Sequence, residues 1–260
     1  MKTKAVILAG GRGTRLHPLT QDLPKTLIPI HGKPIIEYIL ERIVDIGIIE
    51  IIIVIGHYGE KIKKLVGRDY KGVLVKYITN PIYAQTNSTY SLYLTKDVVG
   101  EDFLVINADT VFNREILKSL VESNYEIALS IDDTVSGVLP EDNMKVTIID
   151  GLLRRASKNI PPERTHGDAI GIYRFKGKGT KFLFSELSQL VDRNITDQLF
   201  TFAVNSMMKK KNIYPVSTNG LSWIEIDDNN DLQEARIVVK NILDEENNIV
   251  SSRKIFRGIE

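Results

Sequence analysis

Short runs of β-branched residues alternate with helix-period stretches through the first half of the chain. Residues 4–9 (Lys-Ala-Val-Ile-Leu-Ala) and 51–55 (Ile-Ile-Ile-Val-Ile) carry apolar side chains at nearly every position, which predicts strands buried on both faces. Further strands are expected over 73–78, 103–106 and 126–131. Helical patterns fall between them, over 35–46, 60–66, 88–96 and 114–122. Apolar strands separated by helices imply a doubly wound, mostly parallel, Rossmann-like α/β sheet with helices on both sides.

After residue 132 the rhythm changes. Strands are expected over 145–149 and 152–156, with Asp150-Gly151 as the hairpin turn between them. The pattern then predicts a strand over 169–175, helices over 179–191 and 196–210, strands over 214–217 and 223–226, and a last helix over 231–243. No repeat or linker interrupts the chain. One domain is therefore expected, with a nucleotide-binding half over 1–107, a smaller β-rich acceptor-binding half over 108–228, and a C-terminal helix and tail over 229–260.

Composition narrows the chemistry. A chain of 260 residues can bury a full core without cross-links. Its net charge of +1, with acids and bases mixed, argues against a nucleic-acid partner. Cysteine is absent, which excludes disulfides, thiolate metal sites and thiol catalysis. His17, His31, His57 and His166 lie far apart without ligand spacing, so any metal should be hard and oxygen-bound, such as Mg²⁺. The apolar opening stretch is cut short by Gly10-Gly11-Arg12, and no run approaches the roughly 18 apolar residues of a membrane span. A cytoplasmic protein without a membrane partner is expected; oligomeric state is left open.

The segment Leu8-Ala9-Gly10-Gly11-Arg12-Gly13-Thr14-Arg15-Leu16, followed by Pro24-Lys25, carries the strongest signal. Glycines directly after a buried strand let the backbone approach a ligand, and their N–H groups can cradle a polyphosphate. Arg15 supplies a guanidinium fork and Lys25 a point charge. The segment lacks the Gly-Lys-Ser/Thr ending of a P-loop. It is also a poor dinucleotide fingerprint, because Leu16 stands where the third glycine belongs, which disfavours an NAD-dependent oxidoreductase.

Two acidic strand ends follow. Asn107-Ala108-Asp109 closes the 103–106 strand, where open α/β sheets bind ligands. Trp223-Ile224-Glu225-Ile226-Asp227 ends another, with Glu225 and Asp227 on one face by alternation. If the two ends converge, Asp109 and Asp227 can share one Mg²⁺, with Glu225 as a third carboxylate. The polar loop holding Asn80, Thr86, Asn87 and Ser88 offers groups to read a pyrimidine edge. Lys145 and Lys158 flank the hairpin and can hold an acceptor phosphate. Tyr83, Tyr90, Tyr173 and Trp223 can cage a quaternary ammonium, whereas Asp132, Asp133 and Asp168 can pair with a primary amine.

Gly10-Gly11-x-Gly13-Thr14-Arg15-Leu16-x-Pro18-Leu19-Thr20, then Pro24-Lys25 and Gly32-Lys33-Pro34-Ile35-Ile36, resembles the signature of the nucleoside-triphosphate transferases that activate sugar phosphates and related acceptors. The resemblance implies that the loop from Leu8 to Thr14, with Asn107, holds the nucleotide. It also implies that Arg15 and Lys25 neutralise the reacting phosphates, and that an Asp after the central strand and a late Asp bind the metal. Lys158 stands about where related enzymes carry a phosphate-binding lysine, which places it with Arg15 and Lys25 in catalysis.

Asn80-Pro81, Thr86-Asn87-Ser88-Thr89-Tyr90-Ser91-Leu92, Asp132-Asp133, Met144-Lys145-Val146, Ser157-Lys158, Pro161-Pro162-Glu163 and His166-Gly167-Asp168-Ala169-Ile170-Gly171-Ile172 are similar to the cytidylyltransferase branch acting on phosphocholine or 2-aminoethylphosphonate. That branch usually has Asn or Ile at position 89 and Glu at 168, where this chain has Thr89 and Asp168. The resemblance implies transfer of CMP from CTP to a small phosphate or phosphonate, contacted by Lys145, Lys158, Asp168 and Tyr173. Two alternatives stay open: a sugar-1-phosphate uridylyl- or thymidylyltransferase, and a catalytically inactive nucleotide-binding regulatory subunit.

Overall fold

Burial on both faces decides the centre of the molecule. Ile51, Ile52, Ile53 and Val54 are fully buried, as are Ala5, Val6 and Ile7 on the neighbouring strand. In the computed structural model, which describes residues 3–135 and 139–257, eight strands form one sheet. Their order across it is Tyr214–Ser217, Ile127–Asp132, Asp168–Lys176, Asp102–Asn107, Lys4–Ala9, Glu50–Ile55, Val73–Thr79 and Asp69–Tyr70. The four strands from Asp102–Asn107 to Val73–Thr79 are parallel, as the apolar runs imply.

Asp168–Lys176 is inserted antiparallel between Asp102–Asn107 and Ile127–Asp132. Arg174, 5% exposed, fixes it there by a 3.0 Å bond to the buried Asp102 carboxylate. Alternation divides the core into two layers. Ala5, Ile7, Ile51, Ile53, Leu104 and Ile106 face the helices Ile35–Asp45, Arg114–Glu122 and Asn229–Arg257. Val6, Ile52, Val54, Phe103 and Val105 face Ser88–Tyr93, Lys178–Asp192 and Thr201–Met208. The mostly parallel α/β architecture is as expected from the pattern. Among the described residues, no helix is long and apolar enough to cross a membrane.

Three elements differ from expectation by three residues or more. The predicted helix over 196–210 forms only over Thr201–Met208. Residues 196–200 instead strap the start of Ser88–Tyr93: Asn87 N–H donates to the Thr196 carbonyl at 2.8 Å, and Phe200 N–H to Ser88 Oγ at 2.9 Å. That strapped helix stops at Tyr93 and its last residues, to position 98, form turns. The final helix runs from Asn229 to Arg257, well beyond 243, because its polar continuation is anchored by Glu246 on Arg42 and Arg114. The Asp150-Gly151 hairpin forms with φ of 53° and 71°, the left-handed pair that a tight turn needs.

Candidate active site

A three-residue ladder assembles the acidic centre. The strand Asp102–Asn107 ends, the chain turns through Ala108 and Asp109, and Thr110–Phe112 pairs antiparallel with Trp223–Glu225. Ile226 N–H then bonds the Asp109 carbonyl at 3.0 Å. Residues over a hundred positions apart are thereby locked in register. One carboxylate oxygen each from Asp109, Glu225 and Asp227 lie within 4.8 Å of one another. Asp231 holds the end of this ladder, its carboxylate accepting from Asp227 N–H at 2.7 Å and Asp228 N–H at 2.9 Å.

The cationic loop closes on the same point. Gly13 takes φ 62°, and a Cβ there would meet Lys25 Cβ at 3.0 Å, so glycine is needed for the loop to fold against the lysine. Thr20 Oγ1 donates to the Gly13 carbonyl at 2.7 Å. Lys25 Nζ reaches Asp109 at 2.6 Å and Asp227 at 2.8 Å, and Arg15 Nη2 reaches the other Asp227 oxygen at 2.7 Å. Burial opposes the Lys25 charge, but Asp109 and Asp227 outweigh it and hold its pKa above the ordinary lysine range. Burial, reinforced by Asp109 and Asp227, pushes the Glu225 carboxyl up to about 8. Asp227 moves down despite its burial, because Lys25 and Arg15 stabilise its charge.

Arg15, Asp109, Glu225 and Asp227 border a cavity of about 300 Å³. Of the expected nucleotide residues, Leu8, Gly10, Gly11, Arg15, Asn80, Thr86, Asn87, Ser88 and Asn107 line it; Ala9, Gly13, Thr14 and Lys25 do not, and Lys25 is instead paired with Asp109 and Asp227. Asn80 is spent internally, donating to Thr86 Oγ1 at 3.0 Å and Ser91 Oγ at 3.1 Å while accepting from Ile82 N–H. It shapes the loop whose neighbours face the cavity. Gly171 sits in the floor at φ 78°, where a Cβ would approach the Asn107 amide to 2.6 Å.

On the other side, Lys158 and Tyr173 line the cavity, but Lys145 and Asp168 do not. Lys145 is 5% exposed, and its ammonium caps the carbonyls of Pro140, Glu141 and Lys158. Asp168 is 3% exposed and accepts from the Asn143 amide, with its second oxygen unpaired. Burial pushes its carboxyl up to about 6, against the Asn143 bond and with help from Asp132. Of the aromatic set, Tyr83 and Tyr173 reach the cavity. Tyr90 stacks on Tyr93, and Trp223 donates to Asp132 at 2.9 Å. Asp133 accepts from Ser217.

Several lining residues carried no signal in the sequence. Leu199 and Phe200 border the cavity from the strap that helical spacing had hidden, and Thr201 from the start of the helix after it. Asp142 lies in an aperiodic polar stretch.

The nucleotidyl transferase family model matches residues 4–144, more than half of the chain. The chain belongs to the nucleotidyl transferase family. Among its relatives, CMP-5'-(3-aminopropyl)phosphonate synthase of Streptomyces rubellomurinus is 33% identical over 117 residues, covering 45% of this chain and 19% of that protein. The UTP–glucose-1-phosphate uridylyltransferase AglF of Haloferax volcanii is 32% identical over 133 residues, covering 50% of this chain and 54% of that one. The chain thus spans about half, or less, of the length of these curated relatives. The solved CTP:phosphocholine cytidylyltransferase of Streptococcus pneumoniae has the same fold, with a TM-score of 0.73 at 24% identity, covering 92% of this chain and all of that one.

The three carboxylates offer only hard oxygen donors, and Asp109 Oδ1 is buried without a hydrogen-bond partner. Such a set fits a small divalent cation of the Mg²⁺ type.

Proposed function

We propose that this nucleotidyl transferase family member transfers CMP from CTP to a small phosphate or phosphonate monoester and releases pyrophosphate. The observation that carries this reading is the meeting of the glycine loop, Arg15 and the Asp109–Glu225–Asp227 group at one cavity, with Lys25 paired to two of those acids. Residues 1–107 would contribute the nucleotide side, 108–228 the acceptor side, and 229–260 the supporting helix and tail. The phosphonate cytidylyl relative favours CTP.

The acceptor oxygen attacks the α-phosphorus of CTP, forming the new P–O bond. The bond to the β-phosphate's bridging oxygen breaks, and its electron pair leaves with pyrophosphate. The attacking oxygen is already anionic near neutral pH, so no general base is required. Arg15 and Lys25 counter the negative charge of the polyphosphate, and the loop backbone orients it; catalysis is positioning and electrostatics. Lys158 faces the same cavity and can hold the acceptor. Asp109, Asp227 and Glu225 would hold Mg²⁺, which when bound adds positive charge beside the reacting phosphates.

A second reading, uridylyl transfer to a sugar 1-phosphate, is favoured by the uridylyltransferase relative of similar identity. Pyrophosphate release with each of the four nucleoside triphosphates, against phosphocholine, 2-aminoethylphosphonate, inositol phosphate and glucose 1-phosphate, separates the two. Turnover confined to CTP with a non-sugar acceptor is expected. Preference for UTP with glucose 1-phosphate would select the second reading, and binding of Mg·NTP without any turnover would reject both.

A further inference from the structure

Asp142 stands where a reaction on phosphates has least use for a carboxylate. Its Oδ2 lies 2.5 Å from Arg15 Nη1, its Oδ1 lies 3.8 Å from Lys158 Nζ, and its side chain lines the cavity. One anion thus spans two cations that line the same cavity.

Its position is built from behind. The buried Lys145 ammonium ties the Pro140, Glu141 and Lys158 carbonyls at 2.8, 3.3 and 2.9 Å, joining the segment before Asp142 to the backbone of Lys158. On the other side, Asn143 is bonded to the buried Asp168. The main chain is therefore pinned on both flanks of Asp142, while the Asp142 side chain is 65% exposed. It can rotate away without moving the segment.

We propose that Asp142 is an internal anion occupying the acceptor-phosphate subsite between Arg15 and Lys158, displaced when a phosphate or phosphonate enters. The proposal rests on the transferase reading above and adds the anion that guards its acceptor side. The carboxylate takes one Arg15 nitrogen while the other stays on Asp227, and it lies between that guanidinium and the Lys158 ammonium. An ion pair this exposed is weak, so a dianion with three oxygens can replace it. The lysine that the sequence offered as an acceptor ligand, Lys145, acts here as the pin of the guarding segment.

Calorimetric titration of inorganic phosphate into the full chain, its Asp142→Asn variant and the Asp142→Asn/Lys158→Ala double variant provides the test. Removal of the internal competitor should tighten phosphate binding roughly twofold to fivefold, the range of an exposed ion pair. The double variant should lose that gain. Unchanged or weaker binding in Asp142→Asn, a gain that survives loss of Lys158, or no phosphate binding to any of the three would overturn the proposal. The nucleotide and acceptor screen reads a different quantity, so failure of the transferase reading appears there and failure of the internal anion appears here.

Discussion

Lys25 is the residue on which the acidic centre balances. Three carboxylates within 4.8 Å would repel one another strongly, and the Lys25 ammonium bonds two of them directly. Lys25→Ala and Asp109→Ala should each lower kcat/KM by about 10²-fold or more, the scale of losing one preorganised electrostatic group. Initial rates of pyrophosphate release measure this, and a folded Asp109→Ala protein with near-normal rates contradicts the metal assignment. Asp168 behaves differently, because its folded-state pKa of about 6 lies above the ordinary 3.8. Its protonated form is the one the fold prefers. The stability it contributes is full below pH 3.8 and is lost as pH rises through about 6. Asp168→Asn should therefore stabilise the protein at pH 8, by on the order of 2–3 kcal/mol, and hardly at all at pH 3.5. Thermal melts at both values check the sign; a variant less stable than the parent at pH 8 would refute it.

At the scale of elements, the C-terminal helix Asn229–Arg257 is held by charge as well as by its apolar stripe. Glu246 meets the buried Arg42 at 3.1 Å and accepts from Arg114 N–H at 2.8 Å. Glu246→Ala would leave the Arg42 guanidinium, 3% exposed, without its nearer carboxylate, a loss of about 3–5 kcal/mol. A melting temperature lower by roughly 5–15 °C is expected, and a change under about 2 °C would mean that Arg42 is satisfied by the Phe112 and Tyr38 carbonyls and by Glu41, 3.7 Å away. This anchoring explains why the helix outran its expected end: the polar residues after 243 have no apolar periodicity, and their partners lie on other elements. The same physics hid the strap over 196–200, whose backbone bonds go to a distant helix start. Strands such as Glu50–Ile55, buried on both faces, and the Asp150-Gly151 turn were legible because local pattern and burial agree there. Lys145 was misleading for the opposite reason: a lysine capping carbonyls and one facing solvent look alike in sequence.

On the scale of the whole molecule, the sheet order places the loop after Lys4–Ala9 beside the end of Asp102–Asn107, since those strands are neighbours. The short Thr110–Phe112 ladder then recruits Asp227 from near the far end of the chain. Glycine loop, basic pair and acidic group were each readable in sequence; their convergence depends on strand adjacency that no local pattern encodes. The central claim is that this convergence binds one metal-loaded nucleoside triphosphate. Its most direct test is a crystal structure with CTP and Mn²⁺, using the anomalous signal of manganese in place of magnesium. The account predicts a peak about 2.1 Å from carboxylate oxygens of Asp109 and Asp227, with the triphosphate against Gly10, Gly11, Arg15 and Lys25. Manganese bound away from both aspartates, or a triphosphate seated outside the glycine loop, would contradict it.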